Sequence, residues 1–263
     1  MRKISEFRQE RLIYNHVIYN TEVERHFAKH SHSLLEMIFV LQGEVTYAIE
    51  NKKFVARSGD LIIIKPYAYH FFSVTNEPDY EKISILLPSE QLDTTMFGAE
   101  NFLLLPCGNS RIEDIFQKAD FYYHNCPQAV FKELLISLAK EIWINVQLFH
   151  LPNVVTEHRQ IHPLIERTIG YVNDHLFAIE TVKDLASRLC VSEGYLKTLF
   201  VKQMKISIKK YITEKKMLMA RSMILSGTPP TQAAFQCGYS HYVTFYRLYV
   251  KMFKSSPTSE YKG

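Results

Sequence analysis

Cysteine is scarce and poorly spaced for either disulfide or metal work. The four residues, Cys107, Cys126, Cys190 and Cys237, form no C-x-x-C pair, which fits reduced thiols better than a disulfide or zinc framework. Long hydrophobic runs are also missing. Stretches such as the one from Leu61 to Ile64 are far too short to span a bilayer, and the opening MRKISEFRQERLIYNH has no apolar signal core. We therefore expect a soluble cytoplasmic protein with no membrane partner. Of the 263 residues, 47% are apolar and 22% charged, a balance that argues against extensive disorder. The length suggests two domains, each able to bury a core.

The net charge of +4 hides a division: residues 161–263 carry 15 Lys+Arg against 7 Asp+Glu, while residues 1–160 carry 16 against 20. A basic excess confined to one half suits a surface that neutralises phosphates. That half also repeats itself. YLKTLFVKQMKIS from Tyr195 matches TFYRLYVKMFKSS from Thr244 at an offset of 49, and just upstream the offset is 48. Each copy reads as helix, turn, helix. Thr181 caps the first helix with Asp184 three residues on, and Ser192 caps the second. In the second copy Gly227 ends a helix, Thr228 caps the next with Pro229 at its first position, and Gly238 begins the turn. SIKKYITEKKMLMARSMILSG from Ser207 is the joining helix.

DLASRLCVSEGYLKTLF, followed by CGYSHYVTFYRLYVKMFKSSPTSEY, resembles the C-terminal domain of AraC/XylS-type transcription regulators. Gly238-Tyr239, Phe245, Arg247, Tyr249, Ser256-Pro257 and Glu260-Tyr261 carry the likeness. The resemblance implies two recognition helices entering successive major grooves about 34 Å apart. By position in the pattern, Gly194, Lys197 and Thr198 would read bases in the first unit, and Tyr242, Val243, Tyr246 and Arg247 in the second. Ser192, Lys202, Lys209, Lys210, Lys216, Ser240 and Lys251 would meet phosphates. Where these regulators commonly place glycine after each recognition helix, this chain has Lys205 and Lys254.

From about Arg25 to Pro88 the pattern turns to period two, as in EVTYAIE, with Asn51-Lys52-Lys53 read as a turn. HSHSLLEMIFVLQG from His30 and GDLIIIKPYAYH from Gly59 together resemble the two cupin motifs. That likeness implies an N-terminal sensor barrel with His30, His32, Glu36 and His70 lining an effector pocket. In metal-binding cupins these four positions would hold a divalent transition metal, the minority reading here; the expected cofactor is none.

The fold class is thus α+β in two domains: a cupin-like barrel with packing or dimerisation helices, then an all-α domain. We place the first at 1–150, a linker at 151–160 and the second at 161–263. From Pro127, Phe131, Leu134, Leu135, Leu138, Ile142, Val146 and Phe149 form a helical stripe, which the family resemblance assigns to dimerisation. Residues 89–125 give a weak mixed signal on which no element is placed, and His16, His26 and His124 have no partner spacing.

The expected function is regulation of transcription at a promoter site in duplex DNA. Control would come from a small-molecule effector such as a sugar or related metabolite, and RNA polymerase would be a partner if the protein activates. A metal-dependent cupin enzyme with a DNA-binding tail, and a ligand-independent regulator governed by a protein partner, are the competing readings.

Overall fold

The computed structural model describes residues 2–19, 30–50, 52–74, 79–98, 100–108, 110–150, 159–160 and 162–261. It divides into two compact units, Met1–Arg159 and Gln160–Gly263. His26, Pro78 and most of the segment read as a linker lie outside the described residues.

The first unit is a two-sheet barrel flanked by a helical hairpin. Its strands are β1 (Arg2–Gln9), β2 (Leu12–Tyr19), β3 (Leu35–Gln42), β4 (Glu44–Ile49), β5 (Lys52–Arg57), β6 (Asp60–Ile64), β7 (His70–Ser73), β8 (Tyr80–Leu87) and β9 (Phe102–Pro106). The larger sheet orders β1-β2-β8-β3-β6-β9, and the smaller runs β5-β4-β7, all antiparallel pairings. Lys52 and Lys53, read as part of a turn, are instead the first residues of β5.

The larger sheet buries both faces, which explains its near-continuous apolar strands. One set of alternating side chains, Met37, Phe39, Leu61, Ile63, Ile83, Ile85, Leu103 and Leu105, packs with the hairpin helices. The other set, Ile38, Val40, Ile62, Ile64, Tyr80, Phe102 and Leu104, meets Val45, Tyr47, Phe54 and Phe72 of the smaller sheet. Period two is thus lost in β3, β6 and β9 but survives in the smaller sheet, where Thr46 is partly and Lys53 more fully exposed.

The hairpin is α1 (Arg111–Asn125) and α2 (Gln128–Asn145), followed by one wide turn over Val146–His150. The unread stretch therefore contains a helix. Ser110 caps it by accepting from the Ile112 N–H, and Ile112, Ile115, Phe116 and Ala119 form its buried face. The α2 stripe does not remain available to a second copy. Phe131, Leu135, Leu138, Ile142 and Val146 are buried in the same core as the barrel, because an apolar stripe beside an uncovered sheet face buries most area by folding onto it.

A polar junction fastens α1 to the barrel, and it corrects the view of His16 and His124 as incidental. His16 is 7% exposed. Its Nδ1 lies 2.9 Å from Asp120 and its Nε2 2.6 Å from Glu81. Tyr14 donates to Asp120 at 2.8 Å, and Ser5 links Asp120 with His124 at 3.3 and 3.0 Å. Burial opposes ionisation of Asp120, but the His16 and Tyr14 hydrogen bonds outweigh it and hold the carboxyl below its usual range. A group depressed in this way stabilises the fold above its unfolded pKa and loses that contribution as pH falls through its folded value. Asp120→Asn is therefore expected to cost about 2 kcal/mol near neutrality. Urea melts across pH should show the gap between the two proteins closing toward acid.

The second unit is helical: α3 (Pro163–His175), α4 (Val182–Arg188), α5 (Glu193–Met204), α6 (Ile208–Leu225), α7 (Pro230–Gln236), α8 (Tyr242–Phe253) and α9 (Pro257–Glu260). α7 is capped one residue later than expected. Pro229 occupies the cap, and the Thr228 N–H returns to the Met223 carbonyl at 2.9 Å.

Candidate nucleic-acid interface and effector site

Thr181 starts α4 by accepting from the Asp184 N–H at 3.1 Å, while its hydroxyl donates to the Asp184 carboxylate at 2.5 Å. Ser192 starts α5 by accepting from Tyr195 at 3.3 Å. The turn between α4 and α5 places Cys190 at φ 58°, and its counterpart between α7 and α8 is Gly238 at φ 77°. Glycine is required at the second site. A Cβ on Gly238 would stand 2.3 Å from the Phe177 carbonyl oxygen, whereas the Cys190 side chain points outward and is exposed.

α6 joins the two helix-turn-helix units. Phe200 of α5 meets Tyr211 near its start, with ring centroids 5.4 Å apart. Met217, Ala220 and Ile224 pack with Ala233, Ala234, Phe245 and Tyr249 of the second unit. Arg221 forms a two-pronged pair with Glu260 at 2.9 and 2.7 Å, and Tyr249 and Ser255 also donate to that carboxylate, at 2.5 and 2.6 Å. This ties α6, α8 and α9 together. Burial opposes charge on Glu260, and the Arg221 and Ser255 hydrogen bonds outweigh it, lowering its pKa.

A concave surface runs between the two recognition helices, bounded by Thr181, Glu193, Lys197 and Lys209 on one side and Ser240, Thr244 and Arg247 on the other. Gly194, Lys197 and Thr198 on α5, and Val243, Tyr246 and Arg247 on α8, are exposed; Tyr242 is half-buried against Phe245 and Tyr246. Lys197 lies 2.5 Å from Glu193, while Arg247 makes no ion pair among the described residues. Ser192, Lys202, Lys209, Lys210, Ser240 and Lys251 are exposed as well.

Lys216 is not. It is 6% exposed, donates to the Ile179 carbonyl at 2.8 Å and lies over the Tyr239 ring. Burial lowers its pKa, and the interior of the fold takes it from the phosphate-facing set.

In the first unit, His30, His32 and His70 converge, each offering a ring nitrogen within 4.8 Å of the others. The backbones of His30 and His70 exchange hydrogen bonds of 3.1 and 2.9 Å. The Nδ1 atoms of His32 and His70 each sit 2.9 Å from a backbone carbonyl, those of Leu34 and Ala68. A carbonyl can only accept, so both Nδ1 atoms carry hydrogen and both Nε2 atoms turn inward. They face one oxygen of Glu36, at 3.2 Å from His32 and 3.3 Å from His70. The His70 contact is electrostatic only, because its Nε2 is buried without a hydrogen-bond partner.

Glu36 itself is 6% exposed. Burial opposes its charge, yet the histidines and Lys82 outweigh that cost and hold its pKa well below the usual range. Lys82, which the sequence reading missed, has its Nζ 3.8 Å from the other Glu36 oxygen and 5.0 Å above the Phe72 ring. The signal for it was a single lysine in an otherwise inward-facing register of β8. Behind it, the Tyr47 and Tyr80 hydroxyls meet at 3.0 Å.

These donors suit a divalent transition metal. Each of two histidines is oriented by a backbone acceptor on the far side of its ring, an arrangement that fixes ligating imidazoles, and the Glu36 carboxylate stands beside two of the three nitrogens.

A barrel with an inward-facing polar cluster, followed by paired helix-turn-helix units with exposed recognition faces, defines a ligand-responsive DNA-binding protein. Family models agree on both halves: one described as the AraC-like ligand binding domain matches residues 16–119, and one described as a helix-turn-helix domain matches residues 185–262. The chain belongs to the AraC family of transcription regulators.

The Msm operon regulatory protein of Streptococcus mutans is 21% identical over 227 residues, covering 84% of this chain and 81% of that one. Among solved structures, an apo variant of ToxT from Vibrio cholerae aligns over 95% of this chain and 97% of its own, at 10% identity and a TM-score of 0.42. The C-terminal domain of AraT, a response regulator from Geobacillus stearothermophilus, is 26% identical over 38% of this chain and 84% of its own, with a TM-score of 0.36.

Both recognition helices end on a lysine in the left-handed conformation, Lys205 at φ 56° and Lys254 at φ 58°. Their N–H groups return to the Val201 and Val250 carbonyls at 2.8 and 3.0 Å. A Cβ there costs about 1 kcal/mol relative to glycine. Lys205→Gly and Lys254→Gly should each raise the unfolding free energy by that order, read from denaturant melts, and each should weaken DNA binding slightly.

Proposed function

We propose that this regulator binds promoter DNA with both recognition helices at once and is controlled by a small molecule held at the cluster of His30, His32, Glu36 and His70. The observation that carries the DNA half is the concave surface between α5 and α8, which presents an unpaired Arg247 within a unit of strong positive charge. Arg247 reads guanine through two parallel hydrogen bonds. Gly194, Lys197, Thr198, Tyr242, Val243 and Tyr246 lie along the groove floor. Ser192, Lys202, Lys209, Lys210, Ser240 and Lys251 hold phosphates and set register.

The role is binding rather than catalysis, and the compartment is the cytoplasm; no described helix is long and apolar enough to cross a membrane. Dimerisation would use the face of the hairpin that the barrel leaves open, where Phe121, Val130, Ile144 and Leu148 are exposed.

The convergence of His30, His32 and His70, with the Nδ1 of two of them occupied by backbone carbonyls, favours a second reading of the effector site, in which a divalent transition metal sits among the three histidines beside Glu36. Such an ion would supply a Lewis-acidic centre on which an oxygen-bearing effector could be oriented. Metal analysis of the purified chain beside His70→Ala separates the readings. A stoichiometric metal lost in the variant supports the ion, and equal trace metal in both leaves the organic effector alone.

For the DNA interface, Arg247→Ala should lose roughly 1–3 kcal/mol on the cognate site and relax one base position. Lys251→Ala should weaken all sequences alike and reduce the salt dependence by about one phosphate. Titrations at several salt concentrations on cognate and scrambled duplexes check both; equal losses on the two DNAs for Arg247→Ala would remove it as a base reader.

A further inference from the structure

The internal repeat lets the exposed faces of the two recognition helices be compared position by position. Gly194 corresponds to Val243, Lys197 to Tyr246 and Thr198 to Arg247. The two faces differ in chemistry. On α5 the first position has no side chain, and open space surrounds the place where one would stand. The second, Lys197, is engaged by Glu193 at 2.5 Å. On α8 the first position is aliphatic and the second an aromatic ring tipped by a hydroxyl, and both face solvent, with Val243 60% and Tyr246 40% exposed.

Single exposed apolar residues are ordinary on protein surfaces. These two stand three residues apart on one helical face, immediately beside Arg247. Arg247 and Ser240, which line the adjoining concave surface, give them a polar neighbourhood suited to nucleic acid. An isopropyl group can neither donate nor accept. In a major groove its one discriminating partner is the C5 methyl group of thymine. Val243 and Arg247 are four residues apart, about 6 Å along the helix axis, which is close to two base-pair steps.

We infer that the second helix-turn-helix recognises thymine methyl groups next to a guanine, with Val243 and the ring of Tyr246 packing on the methyls and Arg247 pairing with the guanine. The first helix-turn-helix contributes mainly phosphate contacts and reads a degenerate half-site. The specificity of the protein therefore resides in α8. This inference rests on the sequence-specific DNA-binding role proposed above and adds the base class that is read.

The test uses the full chain. Preferred duplexes are selected from a random library, and single thymines in each half-site are then replaced by uracil, which deletes only the methyl. Uracil at one or two positions beside a guanine in one half-site should weaken binding about threefold to tenfold, the scale of one buried methyl or slightly more. Uracil elsewhere should be neutral. In Val243→Ala or Tyr246→Ala protein, the corresponding penalty should disappear, so that thymine and uracil duplexes bind alike.

A selected site insensitive to uracil in both halves would overturn this inference alone, as would a penalty that persists unchanged in both variants. Selection that yields no preferred sequence, with binding still salt-dependent, would overturn the sequence-specific role together with it.

Discussion

α6 has to bury two sides of itself against two different helix-turn-helix units, and the geometry of the DNA-binding half follows from that requirement. Tyr211 and Ile212 near its start are buried on the side of the first helix-turn-helix, where Tyr211 meets Phe200, while Met217, Ala220 and Ile224 are buried against the second. No residue in this stretch is a proline or glycine, so the helix has no local reason to bend. The two recognition helices are consequently presented by one rigid rod. Lys216 adds a second tie from the same helix by holding the Ile179 carbonyl two residues before the cap of α4, with its Nζ close to Gly238. A charge kept largely out of water at the cost of desolvation makes sense where it satisfies a backbone carbonyl.

The barrel half relies on a comparable arrangement. Glu36 is an ionised carboxylate inside a largely aromatic and aliphatic shell, and it is tolerated because its two oxygens are shared between an imidazole pair and an ammonium. Removing any one partner leaves charge in a low-dielectric interior, so the cluster is expensive to break piecemeal. Such a cluster is a poor choice for stability alone. An effector that exchanges with part of it would reach a large share of the energy that holds this end of the barrel together.

How legible these features were in the sequence depended on how much of each element faces water. The helix-turn-helix pair was readable because each helix has one buried stripe and because the units repeat in register. The left-handed lysines were readable for the same reason, as departures at matched positions. Strands β3, β6 and β9 were harder, since both faces are buried and alternation between apolar and polar vanishes. β1 and β2 escaped because polar residues such as Ser5 and His16 occupy buried positions, where they hydrogen-bond to Asp120 over a hundred positions away. α1 carried an ordinary apolar stripe and a serine cap, and its signal was present but unused. The burial of Lys216 had no local signal at all: its acceptor is 37 residues distant, and in sequence it is one lysine among several. The four residues of the barrel cluster were found as motif positions, but Lys82, which balances their charge, belongs to neither motif.

The rigidity of α6 has a consequence for the DNA rather than for the protein. Two reading heads fixed to one rod have no slack between them. An operator with one extra base pair between its half-sites offsets the second groove by about 3.4 Å and turns it by roughly 35°. A flexible linker would absorb that displacement, but this helix leaves it to the duplex to untwist or bend. If both heads read at once, as proposed, promoters served by this protein would be under selection for phasing as well as for bases, and spacer steps that deform easily would widen the range of spacings it can occupy.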